Sequence, residues 1–328
     1  MSNNAANTID DKLLGLLQNG FPLTAEPYSD LGSKIGVMGE EVIRRIAVLK
    51  AKGIVRQISP VLDARKLGYQ STLIAMKVGK EKTDLAEKTL SRHPGVSHAY
   101  ERDHEFNIWF TLSVPLSVDI ETESQKLSSL IEAEAAFALP AVRVFKLRTN
   151  FGPDEDNYVE AETEQTNVIT ERVDLSKLER RVINALQEDL PLSNNPFLNF
   201  AEVLNIRVDD LLGHCRSLLR RGVIRRYGAS INHYKAGYRA NAMTCWKVPI
   251  NRVETVAAGI ISLRQVSHCY ERATNSSWSY NLYAMIHGSS KMVCMETVNR
   301  IHDGSGISDF AVLFSTREFK KTRIKYLV

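Results

Sequence analysis

The chain has 328 residues with 44% hydrophobic and 24% charged side chains and a formal net charge of +4. This length allows two or more domains with cores of their own, and no apolar run is long enough to cross a membrane. The N-terminal residues lack the basic and apolar regions of a signal peptide, so the sequence predicts a soluble, cytoplasmic protein.

The charge is spread unevenly along the chain. Residues 153–172 hold seven acidic residues against Arg172 alone. Once these are taken from the 42 basic and 38 acidic residues of the whole chain, 41 basic and 31 acidic residues remain. This excess suits an anionic partner, either a nucleic acid or a polycarboxylate, although ordinary surface charge is a strong alternative explanation at this magnitude.

Residues 1–62 carry the patterns of three short helices and one strand. The first helix is predicted up to Gly20, the second near 28–35 and the third over about 39–52, where apolar residues recur at helical spacing. Residues 54–58 are predicted to form a strand. Three short helices followed by a strand predict a winged helix-turn-helix.

Residues 67–150 change to the pattern of a sheet domain. The predicted elements are a strand at 69–78, a helix at 83–92, strands at 96–102 and 106–114, a helix at 117–131 and a strand at 141–147. This order is the ferredoxin-like βαββαβ plan, in which the helices cover one face of the sheet. The open face is left for a second sheet or a ligand.

The second half of the chain repeats the first. After an acidic linker predicted at 151–173, a second winged helix-turn-helix is predicted at 174–232 and a second sheet domain at 236–328. The segment Gly222-Val-Ile-Arg-Arg226, for example, matches Gly53-Ile-Val-Arg-Gln57. The predicted fold is therefore α+β, a tandem repeat of a winged helix-turn-helix plus a ferredoxin-like domain.

One short motif is repeated almost unchanged. His98-Ala-Tyr-Glu-Arg102 returns as His268-Cys-Tyr-Glu-Arg272. Side chains alternate along a strand, so the His, Tyr and Arg of each copy share one face. Each copy thus combines an imidazole, a phenol and a guanidinium that can bind an anion. A solvated strand face explains one such row, but two rows at matched positions favour a shared site.

The third strand of each sheet shows a clear alternation. In the first copy Phe106, Ile108 and Phe110 belong to the apolar set, which we expect to face the helices. In the second copy the opposite set includes His287, where the first copy has Ser113. Two diverged sites, or one working site and one scaffold, both fit this difference.

Two further aromatic rings differ between the copies. His104 lies in the predicted turn of the first copy and has no counterpart in the second. The longer loop of the second copy carries Trp278, which either stacks on a flat ligand or packs back onto its own domain.

The helix-turn-helix units carry acidic residues where a DNA reader contacts bases. These residues are Glu40, Glu41, Asp209 and Asp210. Because they repel phosphate, we expect both units to be scaffolds and DNA not to be a partner. Arg56, Arg225 and Arg226, near the junction with the sheet domains, either reach an anionic ligand or pair with neighbouring acids.

The plan of the chain resembles the Lrp/AsnC transcription regulators. The His-x-Tyr-Glu-Arg row and the segment Tyr280-Asn-Leu-Tyr-Ala-Met-Ile-His-Gly288 are more particular, and they resemble the siroheme decarboxylases, an enzymatic branch of that superfamily. In those enzymes two related subunits pair. The present chain is similar to the fused form associated with the modified haem of denitrifying nitrite reductase.

This resemblance implies an activity and a site. The family removes the carboxyl groups of two acetate side chains of siroheme and yields didecarboxysiroheme, with no cofactor beyond the iron-containing substrate and no metal site of its own. Carried over, the catalytic residues are His98, His268, Tyr100 and Tyr270. The substrate-binding residues are Arg102, Arg272, His104, His287, Arg56, Arg225 and Trp278.

The residues leave several alternatives open. A histidine of near-neutral pKa is a suitable general acid, yet it could instead ligate the iron. Which copy is catalytic is open, as is assembly beyond an internal pseudo-dimer. The competing function is a ligand-responsive DNA-binding regulator.

Overall fold

The computed structural model describes residues 2–147, 173–231 and 240–328. Apart from its last residue, the predicted acidic linker at 151–173 lies outside these ranges. Within them, no helix is long and apolar enough to cross a membrane.

The first helix-turn-helix unit forms from three helices that bury one apolar stripe each. Its elements are α1 (Ser2–Asn19), α2 (Pro27–Ile35), α3 (Gly39–Ala51) and β1 (Val55–Leu62). Leu17, Leu31 and Ile46 meet in its interior, where each is fully buried. Gly36 ends α2 in the left-handed conformation, at φ +77°, as a residue without a Cβ does most easily.

The first sheet domain has one strand more than the sequence predicts. Its elements are β2 (Tyr69–Lys77), α4 (Thr83–Arg92), β3 (Val96–Arg102), β4 (Ile108–Pro115), α5 (Ile120–Ile131), β5 (Ala135–Leu139) and β6 (Ala141–Leu147). The fourth strand of the ferredoxin-like sheet is β5, which pairs with β2. The sequence predicted that 141–147 would be this fourth strand, and that prediction is wrong. Pro140 separates β5 from β6, and β6 pairs with a strand of the second copy instead of with β2.

The second helix-turn-helix unit repeats the first. Its elements are α6 (Lys177–Leu186), α7 (Leu198–Leu204), α8 (Val208–Arg220) and β7 (Ile224–Ile231). A capping box begins α6: the Ser176 hydroxyl accepts from the Glu179 N–H at 3.1 Å, and the Glu179 carboxylate accepts from the Ser176 N–H at 2.8 Å.

Removing this cap should cost measurable stability. The Ser176→Ala variant is expected to lower the free energy of unfolding by about 1 kcal/mol, because the first turn of α6 loses a hydrogen-bond acceptor. Urea unfolding measures the change. The exposed Ser33→Ala variant on α2 serves as the control, with an expected change within about 0.5 kcal/mol. Identical urea midpoints for the two variants would contradict the assignment of the cap.

The second sheet domain ends in an unusually long strand. Its elements are β8 (Ala240–Trp246), α9 (Val253–Ile261), β9 (Val266–Arg272), β10 (Leu282–Gly288), α10 (Lys291–Ser305) and β11 (Phe310–Lys321). The sequence predicts this last strand only over about 309–314. Residues 310–314 pair with β8, and the remainder continues onto β3 of the first copy.

The chain beyond the fourth strand of each sheet domain pairs with the other copy. The strand order is β5-β2-β4-β3-β11-β8-β10-β9-β6. Each copy keeps the ferredoxin-like order and lends strand residues to the other, β11 to β3 and β6 to β9. The first and last strands of this order adjoin at Pro140, so the sheets form a closed ring. The predicted α+β tandem repeat is confirmed.

The inner faces of the two sheets share one hydrophobic cluster. Trp109 and Met243 belong to it, one from each copy. Ile108 and Phe110 pack instead under the helices, as predicted. Phe106 was expected beside them, but it lies in the cluster between the sheets, because β4 begins only at Ile108 and the alternation does not reach back to it.

The two helix-turn-helix units also form one body. Strands β1 and β7 pair antiparallel, with Ser59 opposite Gly228, and both units share a single hydrophobic core. A Cβ on Gly228 would come within 2.4 Å of the Leu17 carbonyl oxygen, so glycine lets α1 approach the strand pair. We call β1 and β7 together the wing sheet.

Candidate functional site

Both copies of the repeated motif line one cavity. This cavity measures about 530 Å³ and is bounded by inner-face residues of the closed ring, the wing sheet and the C-terminal segment 321–326. His98, Tyr100 and Arg102 enter it from β3, and the matching residues of β9 enter it as well. The two rows therefore belong to one shared cavity, not to two separate pockets.

Each of the two row arginines donates a hydrogen bond to a backbone carbonyl of the opposite copy. Arg102 Nη1 donates to the Leu313 carbonyl oxygen on β11 at 3.0 Å, and Arg272 Nη1 donates to the Leu139 carbonyl oxygen on β5 at 2.8 Å. Each arginine is thus oriented by a strand of the opposite copy. Each guanidinium also lies over the tyrosine of its own row, at 5.4 Å for Arg102 and 4.9 Å for Arg272.

Both guanidinium groups retain an unused donor. The Nε atoms of Arg102 and Arg272 are buried and make no hydrogen bond within the part of the chain that the structure describes. Burial lowers the pKa of Arg102 to about 10. An unsatisfied buried donor on a cation costs free energy, and a carboxylate would relieve that cost.

The cavity wall is basic. Among the described residues that line it, none is acidic and six are arginine or lysine: Arg102, Arg226, Arg272, Lys321, Arg323 and Lys325. Such a wall favours a ligand with several negative charges.

Three of these basic residues, Lys321, Arg323 and Lys325, were not predicted as ligand contacts, and they come from the C-terminal segment. Arg226 of the wing sheet lines the cavity. The alternation of the three C-terminal residues at every second position is the signal that could have found them, since it places three cations on one side of an extended chain. Arg323 also donates to the Gly228 carbonyl oxygen at 3.1 Å, which ties the segment to the wing sheet.

The two row histidines lie inside the molecule but open onto the cavity, where the His98 side chain is exposed and that of His268 is half-buried. Their Nδ1 atoms are 2.9 Å and 2.6 Å from the hydroxyls of Ser97 and Ser267, for His98 and His268 respectively. Burial first, and then the positive charge of Lys321, lower the pKa of His98 to about 3 and that of His268 to about 4. The near-neutral pKa that the sequence suggests does not hold in this basic cavity.

These low pKa values predict a pH-dependent stability. As the pH falls from about 6.5 towards 4, the unfolded chain takes up protons on both histidines while the folded protein does not. The free energy of unfolding of the ligand-free protein should therefore fall over this range. Chemical unfolding at a series of pH values measures it. The double variant His98→Gln, His268→Gln should flatten the slope, and an unchanged slope would contradict the buried neutral state.

In the second copy, a hydrogen-bonded chain leads from the row histidine through a serine to a second histidine. The Ser267 hydroxyl lies 2.6 Å from His268 Nδ1 and also 2.8 Å from His287 Nε2. In the first copy, Ser113 occupies the position of His287, and its hydroxyl lies 2.5 Å from that of Ser71. His287 lies on the cavity wall, as predicted, and the cavity is asymmetric around the two row histidines.

Four residues predicted to bind the ligand lie outside the cavity wall. Trp278 is 4% exposed in the cluster between the sheets, where its Nε1 donates to the Tyr283 hydroxyl at 2.8 Å. The ring of His104 packs against Trp278 at 5.3 Å. The wing arginines pair with acids: Arg56 with Glu318 at 2.9 Å and Arg225 with Asp63 at 2.7 Å. Stacking and ion pairing within the protein account for all four.

Comparison with known proteins decides the family. The chain matches the AsnC-like ligand binding domain at 66–146 and 235–320, and the siroheme decarboxylase NirDL-like HTH domain at 10–56 and 179–225. A siroheme decarboxylase of Hydrogenobacter thermophilus (strain DSM 6534 / IAM 12695 / TK-6) is 39% identical over 317 residues, 96% of this chain and 94% of the relative. The chain belongs to the siroheme decarboxylase family.

Two other members of the siroheme decarboxylase family are informative, one for its bound tetrapyrrole analogue and one for its length. The crystal structure of the siroheme decarboxylase NirDL with an iron-uroporphyrin III analogue superposes with a TM-score of 0.73 at 35% identity, covering 97% of this chain and 94% of that one. The siroheme decarboxylase beta subunit of Methanosarcina barkeri (strain Fusaro / DSM 804) is 36% identical over 151 residues, 46% of this chain and 99% of the subunit. The present chain therefore spans about two such subunits.

Proposed function

We propose that this protein is a siroheme decarboxylase that removes the carboxyl groups of two acetate side chains of siroheme and releases didecarboxysiroheme. The observation that carries the proposal is a basic cavity shared by the two copies and walled by both His-x-Tyr-Glu-Arg rows. Its family relatives are named for this activity, and siroheme is a flat polycarboxylate that such a wall would attract.

The arginines of the rows suit the carboxylates that do not react. Arg102 and Arg272 each keep a buried, unused Nε donor, and a carboxylate can accept two parallel hydrogen bonds from one guanidinium. Lys321 adds a third cation beside the row histidines. Fixing the spectator carboxylates holds the reacting acetate in place, which lowers the entropic part of the barrier.

The reaction itself is a carbon–carbon bond cleavage, so we assign the enzyme to the lyases. The bond between the acetate methylene and its carboxylate breaks, carbon dioxide leaves, and the macrocycle of the substrate can delocalise the electron pair. For this reason we propose that no organic cofactor is added. The protein must then supply one proton to the methylene carbon, and we propose that His98 or His268 gives it.

The wall contains apolar patches as well as cations. Met243 and Met285 line it beside Tyr100 and Tyr270. Burial raises the pKa of both phenols above 10, so they stay protonated and can donate hydrogen bonds. An apolar wall also disfavours the charged reacting carboxylate relative to neutral carbon dioxide.

Anaerobic incubation with siroheme, followed by mass spectrometry of the tetrapyrrole, tests the proposal. The expected product has lost the mass of two carbon dioxide molecules. Siroheme that binds but is recovered unchanged would make the protein a carrier and would overturn the proposal.

We also propose that the helix-turn-helix units do not read DNA. Glu41, at the start of α3, forms ion pairs with Arg44 at 2.7 Å and Arg45 at 2.8 Å, and Asp210 of α8 pairs with Arg207 at 3.0 Å. The arginines near the start of each recognition helix are therefore already paired with acidic residues and are less available to bind DNA phosphates. A gel-shift assay at physiological salt should give no sequence-specific complex, and a nanomolar site would favour a regulator instead.

A further inference from the structure

A line of three hydrogen-bonding side chains leads to His268 but not to His98. His287 Nε2, the Ser267 hydroxyl and His268 Nδ1 are joined at 2.8 Å and 2.6 Å. In the first copy, the Ser97 hydroxyl lies 2.9 Å from His98 Nδ1, and a serine stands where His287 would be. The two otherwise matched histidines therefore differ in what lies behind them.

The reaction makes a demand on the proton donor. Each decarboxylation breaks one carbon–carbon bond, releases one carbon dioxide and forms one carbon–hydrogen bond, so each consumes one proton. With Nδ1 directed at Ser267, Nε2 is the nitrogen of His268 left for the substrate. A neutral imidazole gives up its Nε2 proton readily only if Nδ1 gains one, since the alternative is an imidazolate.

We propose that His287 passes a proton through the Ser267 hydroxyl to His268 Nδ1, so that His268 gives its Nε2 proton to the acetate methylene. This assignment rests on the proposed function. It makes His268 the proton donor of the reaction, Ser267 and His287 its positioning and relay residues, and the second copy the catalytic half.

The transfers balance at every atom. The electron pair of the broken carbon–carbon bond takes the Nε2 proton of His268 and becomes the new carbon–hydrogen bond. His268 Nδ1 takes the Ser267 hydroxyl proton, and the Ser267 oxygen takes a proton from His287 Nε2. His287 Nδ1 takes up a proton from solvent as its Nε2 gives one to Ser267, so His287 and His268 each end as the other neutral tautomer.

The charges around His268 explain why a relay suits this position better than a stored proton. Lys321 on β11, Arg226 on β7 and Lys146 on β6 all act to lower its pKa, in addition to burial. His98 lines the same cavity, and burial and nearby positive charges lower its pKa as well. An imidazolium would be costly there, whereas a relay moves a proton through the ring without leaving a net charge on it.

Three variants test the relay. His287→Gln keeps a side chain that can bond to Ser267 but cannot carry a proton, and Ser267→Ala breaks the line in the middle. Each should lower kcat on the order of a hundredfold with little change in KM, because a proton transfer is impaired and not a binding contact. Ser97→Ala, the matched change in the first copy, should cause a smaller loss.

Two further readouts separate a relay from a structural role. The double variant Ser267→Ala, His287→Gln should lose no more than the worse single variant, since both interrupt one path. Added imidazole should restore part of the activity of His287→Ala. If His287→Gln runs at the unmodified rate, or if Ser97→Ala loses as much as Ser267→Ala, the relay is overturned.

The outcome is distinguishable from failure of the proposed function. An unmodified protein that leaves siroheme intact would refute the activity, whereas an active protein whose variants are equally active would refute the relay alone. If His287→Gln does not fold, as judged by its thermal unfolding, the comparison of Ser267→Ala with Ser97→Ala decides the question by itself.

Discussion

Replacing His268 with alanine is expected to lower the turnover of siroheme on the order of a hundredfold or more while siroheme still binds. The imidazole lies on the cavity wall with its Nδ1 hydrogen-bonded, so its loss removes a proton donor and few binding contacts. Single-turnover measurement of the decarboxylated products gives the rate, and spectroscopic titration of the tetrapyrrole gives the dissociation constant.

The His98→Ala variant is the internal comparison for this result. Both histidines occupy matched places on β3 and β9, so an effect of general cavity damage would be similar in the two variants. The larger loss is expected for His268, which alone has His287 behind it. If both variants convert siroheme fully at the unmodified rate, neither histidine is catalytic.

The Arg272→Ala variant should act on binding more than on chemistry. A lost hydrogen bond to a charged group costs roughly 1.5–3 kcal/mol. That free energy corresponds to a dissociation constant about tenfold to more than a hundredfold higher. Arg272 lines the cavity and is already positioned by the Leu139 carbonyl oxygen, so its guanidinium is held at the wall before a ligand arrives.

Arg225 provides the matched control for that measurement. It is also an arginine of the second copy, but it pairs with Asp63 outside the cavity wall. Its replacement by alanine should lower stability, because the buried carboxylate of Asp63 loses its closest cation, and should leave siroheme affinity unchanged in the folded protein. Equal loss of affinity in the Arg225 and Arg272 variants would mean that the cavity wall is wrongly assigned.

Periodicity in the sequence predicted the elements and the rows that they carry. Alternation placed His98, Tyr100 and Arg102 on one face of a strand, and the structure brings that face and its repeat into the same cavity. This worked because both the strand period and the repeat are local properties of the chain. The same reasoning placed His287 on the open face.

Contacts between distant parts of the chain could not be predicted from local sequence patterns. Nothing in the alternation of 309–314 indicates that β11 continues onto β3, because pairing partners are chosen by three-dimensional packing. The cations of the C-terminal segment were missed for that reason. Trp278 was predicted to reach the ligand from a loop, yet the space between the two sheets holds it more favourably as part of a core.

The exchange of strands between the copies bears on how such a protein could arise. Arg102 is held by a carbonyl of the second copy and Arg272 by one of the first, so neither half can assemble its own row alone. Two first copies together would carry Ser113 twice, and two second copies would carry His287 twice. Joining the halves in one polypeptide ensures that they are made in equal amounts and raises their effective concentration for each other. The fusion thereby favours the unlike pair over either like pair.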